Sequence, residues 1–233
     1  MRLLFTLTFY IIFSLSLFCQ TVNKISLHRE SQALIKGQKI IEHADCFYNS
    51  ESLDLIVHVI KPREYIKIIS NKGELKMFFP KENMLMLKQN SYLATSKENL
   101  YIYINNMYDD LGLRAEGFTI QETRYEDEYM IVEWAPPVQD KTVLSKVEII
   151  YENMMPIYTA AYNIKGTLFK KTYYSDYFVN NNLVIPKRIT DITYTTKTDS
   201  IVRRTLYSDL KINEQADISY ENYKIPKDAK LIK

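Results

Sequence analysis

Apolar residues recur at every second position along most of this chain, which is the spacing of β-strands with one buried face. The run 53–60 shows this most clearly, with apolar side chains at Leu53, Leu55, Val57 and Val59. Turns rich in Asn, Asp and Gly separate it from further runs. The sequence therefore predicts ten or eleven antiparallel strands, the others lying at 64–70, 74–79, 84–87, 118–124, 129–134, 145–151, 157–163, 167–178, 187–196 and 200–212.

Two segments instead show helical spacing. In 24–41, apolar residues recur loosely at three- and four-residue intervals around Gly37, which predicts a helix. In 96–112, Thr95 and Glu98 are spaced as a capping box, and Gly112 supplies the end of the helix. The apolar stripe of this second helix predicts one buried face, formed by Leu100, Tyr103, Ile104, Met107 and Leu111.

The pattern predicts a mainly β fold, in which an unclosed antiparallel half-barrel has helices over its concave face. Open twisted sheets seldom exceed about ten strands, so a sheet of this size must curve. A broad apolar face under two short helices would leave a cavity. Its predicted lining is Leu55, Val57, Met77, Phe79, Met130, Val132, Trp134, Val147, Ile149 and Tyr158. The alternative for each of these residues is ordinary core packing, because any half-buried sheet shows such alternation.

Composition and charge exclude several classes of function. The 30 Lys and Arg residues nearly balance the 28 Asp and Glu residues, leaving a net charge of +2, without the basic excess of a nucleic-acid-binding protein. The two Cys and three His residues have no metal-ligand spacing, so we predict no metal and no other cofactor. His28, His43 and His58 lack a nucleophile motif, and residues 126–128 crowd one acidic turn. The sequence therefore predicts that the protein is not an enzyme.

The first residues have the features of a secretory signal peptide. Arg2 precedes an apolar stretch up to Phe18, so we predict a signal peptide over 1–19 and one exported domain over 20–233. An alternative makes Cys19 a lipid-modified anchor, although the bulky Phe18 stands where a lipoprotein signal has a small residue. Cys46 would then be a lone cysteine, and its neighbour Phe47 favours burial.

Four stretches together carry a family resemblance. They are IKPREYIKIISNKGELKMFFPKENMLML at 60–87, the capped helix 96–112 leading to the WAPP hairpin end, the strand-rich stretch 147–213, and the tail YENYKIPKDAKLI. In order and spacing the chain resembles the periplasmic lipoprotein carriers of the LolA type, especially the outer membrane lipoprotein-sorting proteins. The resemblance covers most of 20–233.

The resemblance implies a periplasmic monomer that performs no chemistry. Such a carrier takes lipoprotein acyl chains, or another lipid, from an inner-membrane complex to an outer-membrane acceptor, and its helices act as a lid over the half-barrel. In the family an arginine before the strand-ending proline latches this lid, and Lys61 stands at the matching position before Pro62. Lysine lacks the planar fork of arginine, so this departure places the chain nearer to the relatives of unknown cargo.

The energetics of lipid transport agree with a large apolar cavity. Each buried methylene contributes about 0.8 kcal/mol, so exposing one long acyl chain to water costs on the order of 10 kcal/mol. Adaptable methionines and broad aromatic rings suit the lining of such a cavity. The alternative function is a scaffold of the cell envelope, which uses the same half-barrel to dock a protein partner.

Overall fold

The computed structural model describes residues 22–35, 37–71, 74–89, 98–140, 143–180, 183–196 and 199–232. The predicted signal segment 1–19, including Cys19, lies outside them. In these ranges the chain forms one sheet of fourteen strands that does not close on itself. The mainly β, unclosed antiparallel architecture is confirmed, while the strand count exceeds the ten or eleven expected.

In the described ranges the strands follow one another in the chain, with a single α-helix after the sixth. They are β1 (Lys24–Ile35), β2 (Gln38–Asn49), β3 (Asp54–Lys61), β4 (Tyr65–Ile69), β5 (Glu74–Phe79), β6 (Met84–Gln89), β7 (Thr119–Glu126), β8 (Tyr129–Ala135), β9 (Leu144–Glu152), β10 (Met155–Asn163), β11 (Leu168–Asn180), β12 (Leu183–Tyr194), β13 (Ser200–Ile212) and β14 (Lys230–Ile232). The helix is α1 (Asn99–Ile104), and short 3-10 turns occupy Pro80–Glu82, Val138–Asp140 and Asn213–Gln215.

The sheet consists of two antiparallel meanders, β1–β6 and β7–β13. They join where β1 pairs antiparallel with β13, a pairing in which Arg29 lies opposite Tyr207. We call this pairing the seam. The two edges of the sheet are β7 and β14, and β14 pairs in parallel with β6.

The helix predicted over 24–41 is wrong, because this segment forms the β1–β2 hairpin. Alternate residues of β1, including Ile25, Leu27 and Arg29, are buried on one face. Gly37 occupies the turn with φ of 77°, which a glycine adopts without steric cost. Leu34 and Ile40, which contributed to the helical spacing, are exposed near the end of the hairpin.

The second predicted helix forms, but it is shorter than 96–112. α1 ends at Ile104, and Asn105 is its C-cap residue. The helix does not continue because Asn106 has a left-handed φ of 55°. Turns continue from there to Gly117. Thr95 of the predicted capping box lies outside the described residues. No helix of the described ranges is long and apolar enough to cross a membrane.

Two apolar clusters lie on the face of the sheet that α1 covers, which we call the helix-covered face. The larger one joins α1 to β1–β5 and β11–β13, with Leu55, Val57 and Leu100 fully shielded from solvent. The smaller one joins β8 and β9 to the turns after α1, around Trp134 and Ile149. The helix and its following turns therefore bury the alternating residues of both meanders.

A third apolar cluster lies on the opposite face of the first meander. Phe47, Ile56, Ile66 and Phe78 pack there against the C-terminal segment 216–229. The ring of Tyr220 stacks on Phe47 with centroids 4.8 Å apart. Strands β2–β5 are consequently buried on both faces.

We expect Ile149→Ala to destabilise the fold by about 2–5 kcal/mol, because it opens a cavity in the smaller cluster. Urea unfolding should show a lower midpoint with an unchanged slope. The matched control is Ile120→Ala on edge strand β7, where the side chain is 48% exposed and the change should stay within about 0.5 kcal/mol. Equal effects of the two substitutions would contradict this packing.

Candidate functional site

The helix-covered face brings together most of the residues that the sequence predicted for a lined cavity and a lid. Leu55 and Val57 of β3 lie in one cluster with Leu100, Tyr103 and Ile104 of α1. The partly buried side chains of Met77, Met107 and Leu111 pack against the same cluster. These side chains therefore form one continuous apolar cluster between α1 and the sheet.

The remaining predicted lining residues divide between the two faces. Val132, Trp134 and Ile149 form the smaller cluster, with Met130 and Val147 packed against it and Leu111 bridging to the helix. Phe79 is buried, and its ring lies 5.9 Å from the ring of Tyr65. Tyr158 lies opposite Tyr173 in the β10–β11 register, with ring centroids 5.1 Å apart. Because the next residue, Tyr174, belongs to the helix-covered face, this tyrosine pair lies on the other face.

A buried network of ion pairs holds the beginning of α1, and the sequence did not indicate it. Glu98 occupies the N-cap, but its carboxylate makes no cap hydrogen bond. Arg29 Nη1 of β1 donates to Oε1 and Oε2 of Glu98 at 3.1 and 3.0 Å, and Lys67 Nζ of β4 donates to Oε2. Glu98 and Arg29 are only 4% and 6% exposed. The predicted capping role of Glu98 is therefore replaced by a tertiary contact.

The network extends from Glu98 through Arg29 to the next strand. Arg29 Nη2 also donates to Glu42 of β2, and Tyr65 donates its hydroxyl to Glu42 Oε2 at 3.0 Å. Two cations thus face two carboxylates on the helix-covered face. Lys61, the predicted latch, lies exposed at the end of β3, and the ion pairs given above come from other residues.

The network shifts the acidity of the groups within it. Burial alone raises the pKa of Glu98, but attraction and hydrogen bonds from Lys67 and Arg29 outweigh it and lower this pKa to about 2. Burial raises the pKa of the nearby Cys46 thiol to about 12, so this thiol is protonated at neutral pH. The structure confirms that Cys46 is a buried free cysteine.

A cavity of about 390 Å³ opens beside the network at the start of α1. Its lining combines Arg29, Lys67 and Glu98 with apolar side chains that include Ala33, Leu75 and Met77. This volume lies in the range of roughly 300–1,000 Å³ that small-molecule sites occupy. A ligand in it would contact both an apolar wall and a charged wall.

The histidines and carboxylates form no comparable site on the described part of the chain. No group of three or more His, Cys, Asp or Glu residues is arranged there to hold a metal ion. His28 Nδ1 lies 2.9 Å from Asp45, and His58 Nε2 lies 3.2 Å from Glu64. Both pairs lie at partly exposed positions, and the other ring nitrogen of His58 lies 2.9 Å from the hydroxyl of Tyr220.

We expect Glu98→Gln to lower the free energy of unfolding by about 3–5 kcal/mol at pH 7, because it leaves two buried cations short of a partner. The folded-state pKa of Glu98 lies below that of the unfolded chain. This stabilisation is therefore complete above about pH 5 and is lost as the pH falls towards 2. The measurement is urea unfolding of both proteins across this pH range.

The control for this experiment is Glu74→Gln, which removes a carboxylate from the exposed pair with Lys76. It should change the unfolding free energy by less than about 1 kcal/mol. A Glu98→Gln protein whose deficit stayed constant from pH 7 to pH 2 would show that the ionised carboxylate is not what stabilises the helix.

The fold has counterparts among solved structures. No protein-family model and no curated protein matches the sequence. A LolA superfamily protein from Nitrosomonas europaea superposes with a TM-score of 0.56 at 14% identity, over 84% of this chain and 88% of the other. A DUF1329 family protein from Desulfovibrio piger gives 0.59 at 12% identity, over 88% and 91%. A domain from Vibrio parahaemolyticus named for outer membrane lipoprotein sorting gives 0.58 at 13% identity, over 86% and 89%. The chain therefore has the LolA-like fold.

Proposed function

We propose that this protein binds lipoprotein acyl chains, or another lipid, on the helix-covered face and carries them through the periplasm towards the outer membrane. The supporting observation is the cover of that face. One six-residue helix, together with the turns after it, lies over the apolar side chains of both meanders. Displacing this short cover would expose an apolar surface without breaking any strand pairing.

The composition of the cover supports the same proposal. Residues 100–104 of α1 are all buried, and four of them, Leu100, Tyr101, Tyr103 and Ile104, belong to the larger cluster on the helix-covered face. When α1 moves aside, an acyl chain would replace these contacts with its own. At about 0.8 kcal/mol for each buried methylene, a long chain supplies enough free energy to compete with them.

The remaining parts of the proposal concern the route of the cargo. The exported protein would be the domain 20–233, free of a lipid anchor at Cys19, and would act as a monomer without a cofactor. An inner-membrane complex would load it, and an outer-membrane acceptor would receive the lipid. Lys61 remains the candidate latch by family resemblance alone.

The second candidate function, an envelope scaffold that docks a protein partner, is favoured by the edge strand β7, which pairs only with β8 among the described strands. Every residue of this strand except Arg124 is exposed, including Ile120 and Tyr125. An unpaired edge of this length can accept a strand from another protein.

Protein purified from an envelope extract should carry acyl-chain lipid, because the apolar surface under α1 would be shielded by cargo during transport. Native mass spectrometry of the extract-purified protein measures this directly. An empty protein that also takes up no fluorescent fatty acid would favour the scaffold. A lipid label attached to Cys19 would contradict the shuttle, since an anchored protein cannot cross the compartment.

We expect Met107→Asp, and likewise Ile104→Asp, to impair lipid retention more than folding. A carboxylate on this cover opposes an acyl chain, so uptake of a fluorescent fatty acid should fall at least about tenfold. Met107 is only partly buried, so Met107→Asp should lower the unfolding free energy by the roughly 0.5–3 kcal/mol usual for single substitutions. Ile104 is buried, so Ile104→Asp should lower it by more. Ile120→Asp on exposed β7 is the control and should leave both quantities unchanged. Proportional loss of folding and retention would identify the helix as plain core.

A further inference from the structure

The charges around Glu98 indicate which class of lipid the site accepts, an inference that rests on the lipid-binding function proposed above. Glu98 directly precedes α1, whereas its partners Arg29 and Lys67 belong to strands of the sheet. The carboxylate of the cover therefore sits between two cations of the surface that it covers. Glu98 is thus an anion attached to α1 and bound by two residues of the sheet.

Displacing α1 would separate these charges. Glu98 would leave with the helix, while Arg29, Lys67 and Glu42 would stay on the sheet with a net charge of +1. Glu42 already accepts hydrogen bonds from Arg29 and Tyr65. Arg29 Nε is buried and has no hydrogen-bond partner among the described residues, even with Glu98 in place. Separating Glu98 from Arg29 and Lys67 breaks both of its ion pairs, and an anion bound between the same two cations would restore them.

The cavity beside the network is placed to receive such an anion. Arg29 and Lys67 line it, and so do Lys88 and Arg203. Its acidic lining residue outside the network, Asp191, accepts a hydrogen bond from Thr172 at 2.8 Å and lies 3.5 Å from Lys170. The apolar wall at Leu75 and Met77 continues directly from the cationic wall.

We propose that the ligand is an amphiphile with an anionic head, a carboxylate or a phosphate, and that this head takes the place of Glu98 between Arg29 and Lys67. The acyl chain then lies along the apolar side chains that α1 covers when the site is closed. Glu98 acts as an internal competitor for the head. A ligand shifts a conformational equilibrium only by its differential affinity, so a head that compensates both cations opens the site more effectively than a neutral one.

The test compares palmitate with methyl palmitate, which share an acyl chain and differ in charge, at mildly alkaline pH. Both compete against the uncharged fluorescent probe N-phenyl-1-naphthylamine on the full chain. We expect palmitate to bind at least about tenfold more tightly than methyl palmitate, and acetate to show no competition.

Lys67→Met should reduce this preference several-fold. Lys76→Met, which removes a lysine paired with Glu74 on the other face of the sheet, should leave it unchanged.

Glu98→Gln gives a second, independent measurement, because removing the competitor should tighten palmitate binding several-fold. Equal binding of palmitate and methyl palmitate would overturn the anionic-head inference while leaving lipid binding intact. Competition by acetate as strong as that by palmitate would identify a free-anion site and overturn the inference as well. Failure of both amphiphiles to bind would reject it together with the proposed function. If Lys67→Met retained the full preference, Lys67 would not contact the head.

Discussion

The pairing of β1 with β13 is the constraint on which the rest of this structure depends. It joins two meanders that would otherwise be separate sheets, and it places Arg29 opposite Tyr207 on the helix-covered face. α1 packs against β12 on one side of this seam, and Glu98 at its start binds Arg29 of β1 on the other side. The apolar cover, the buried ion pairs and the cavity thus all lie where the two halves of the chain meet. A change in the register of β1 by one residue would turn Arg29 to the opposite face and remove the partner of Glu98.

The ion pairs fix the position of the helix more than they add to the net stability. A six-residue helix is too short to be stable by itself, so packing and tertiary contacts must hold it. Apolar packing is non-directional and would allow α1 to slide over the sheet. The two hydrogen bonds from Arg29 and the one from Lys67 define a single position for Glu98. Because buried ion pairs gain little net free energy after desolvation, this specificity is their principal effect.

Local sequence pattern could predict the strands and the apolar face, since both depend on spacing within one strand. β13 was predicted with its observed bounds, and Leu55 and Val57 lie in one apolar cluster with α1. The pattern failed for β1 and β2, where apolar residues at an exposed hairpin end imitated helical spacing. The contact between Arg29 and Glu98 joins residues 69 positions apart, and neither residue type has a local signal for it. The sequence also contained no indication that the segment 216–229 covers the opposite face of the sheet, because its apolar residues do not recur at regular intervals.

The two segments that cover the sheet, α1 with its following turns and residues 216–229, are attached in different ways. This difference decides which of them can be displaced without breaking strand pairs. The C-terminal segment ends in β14, whose backbone pairs with β6, and Glu221 within it binds Lys24 and Asn49 of the first two strands. Lifting this segment would break strand pairing as well as side-chain contacts. α1 contacts the sheet through side chains, chiefly apolar ones and the Glu98 carboxylate. Its displacement would leave every described strand pair intact. α1, whose attachment involves no described strand pairing, begins beside a charged cavity, so in the proposed function its displacement would open the protein at that cavity.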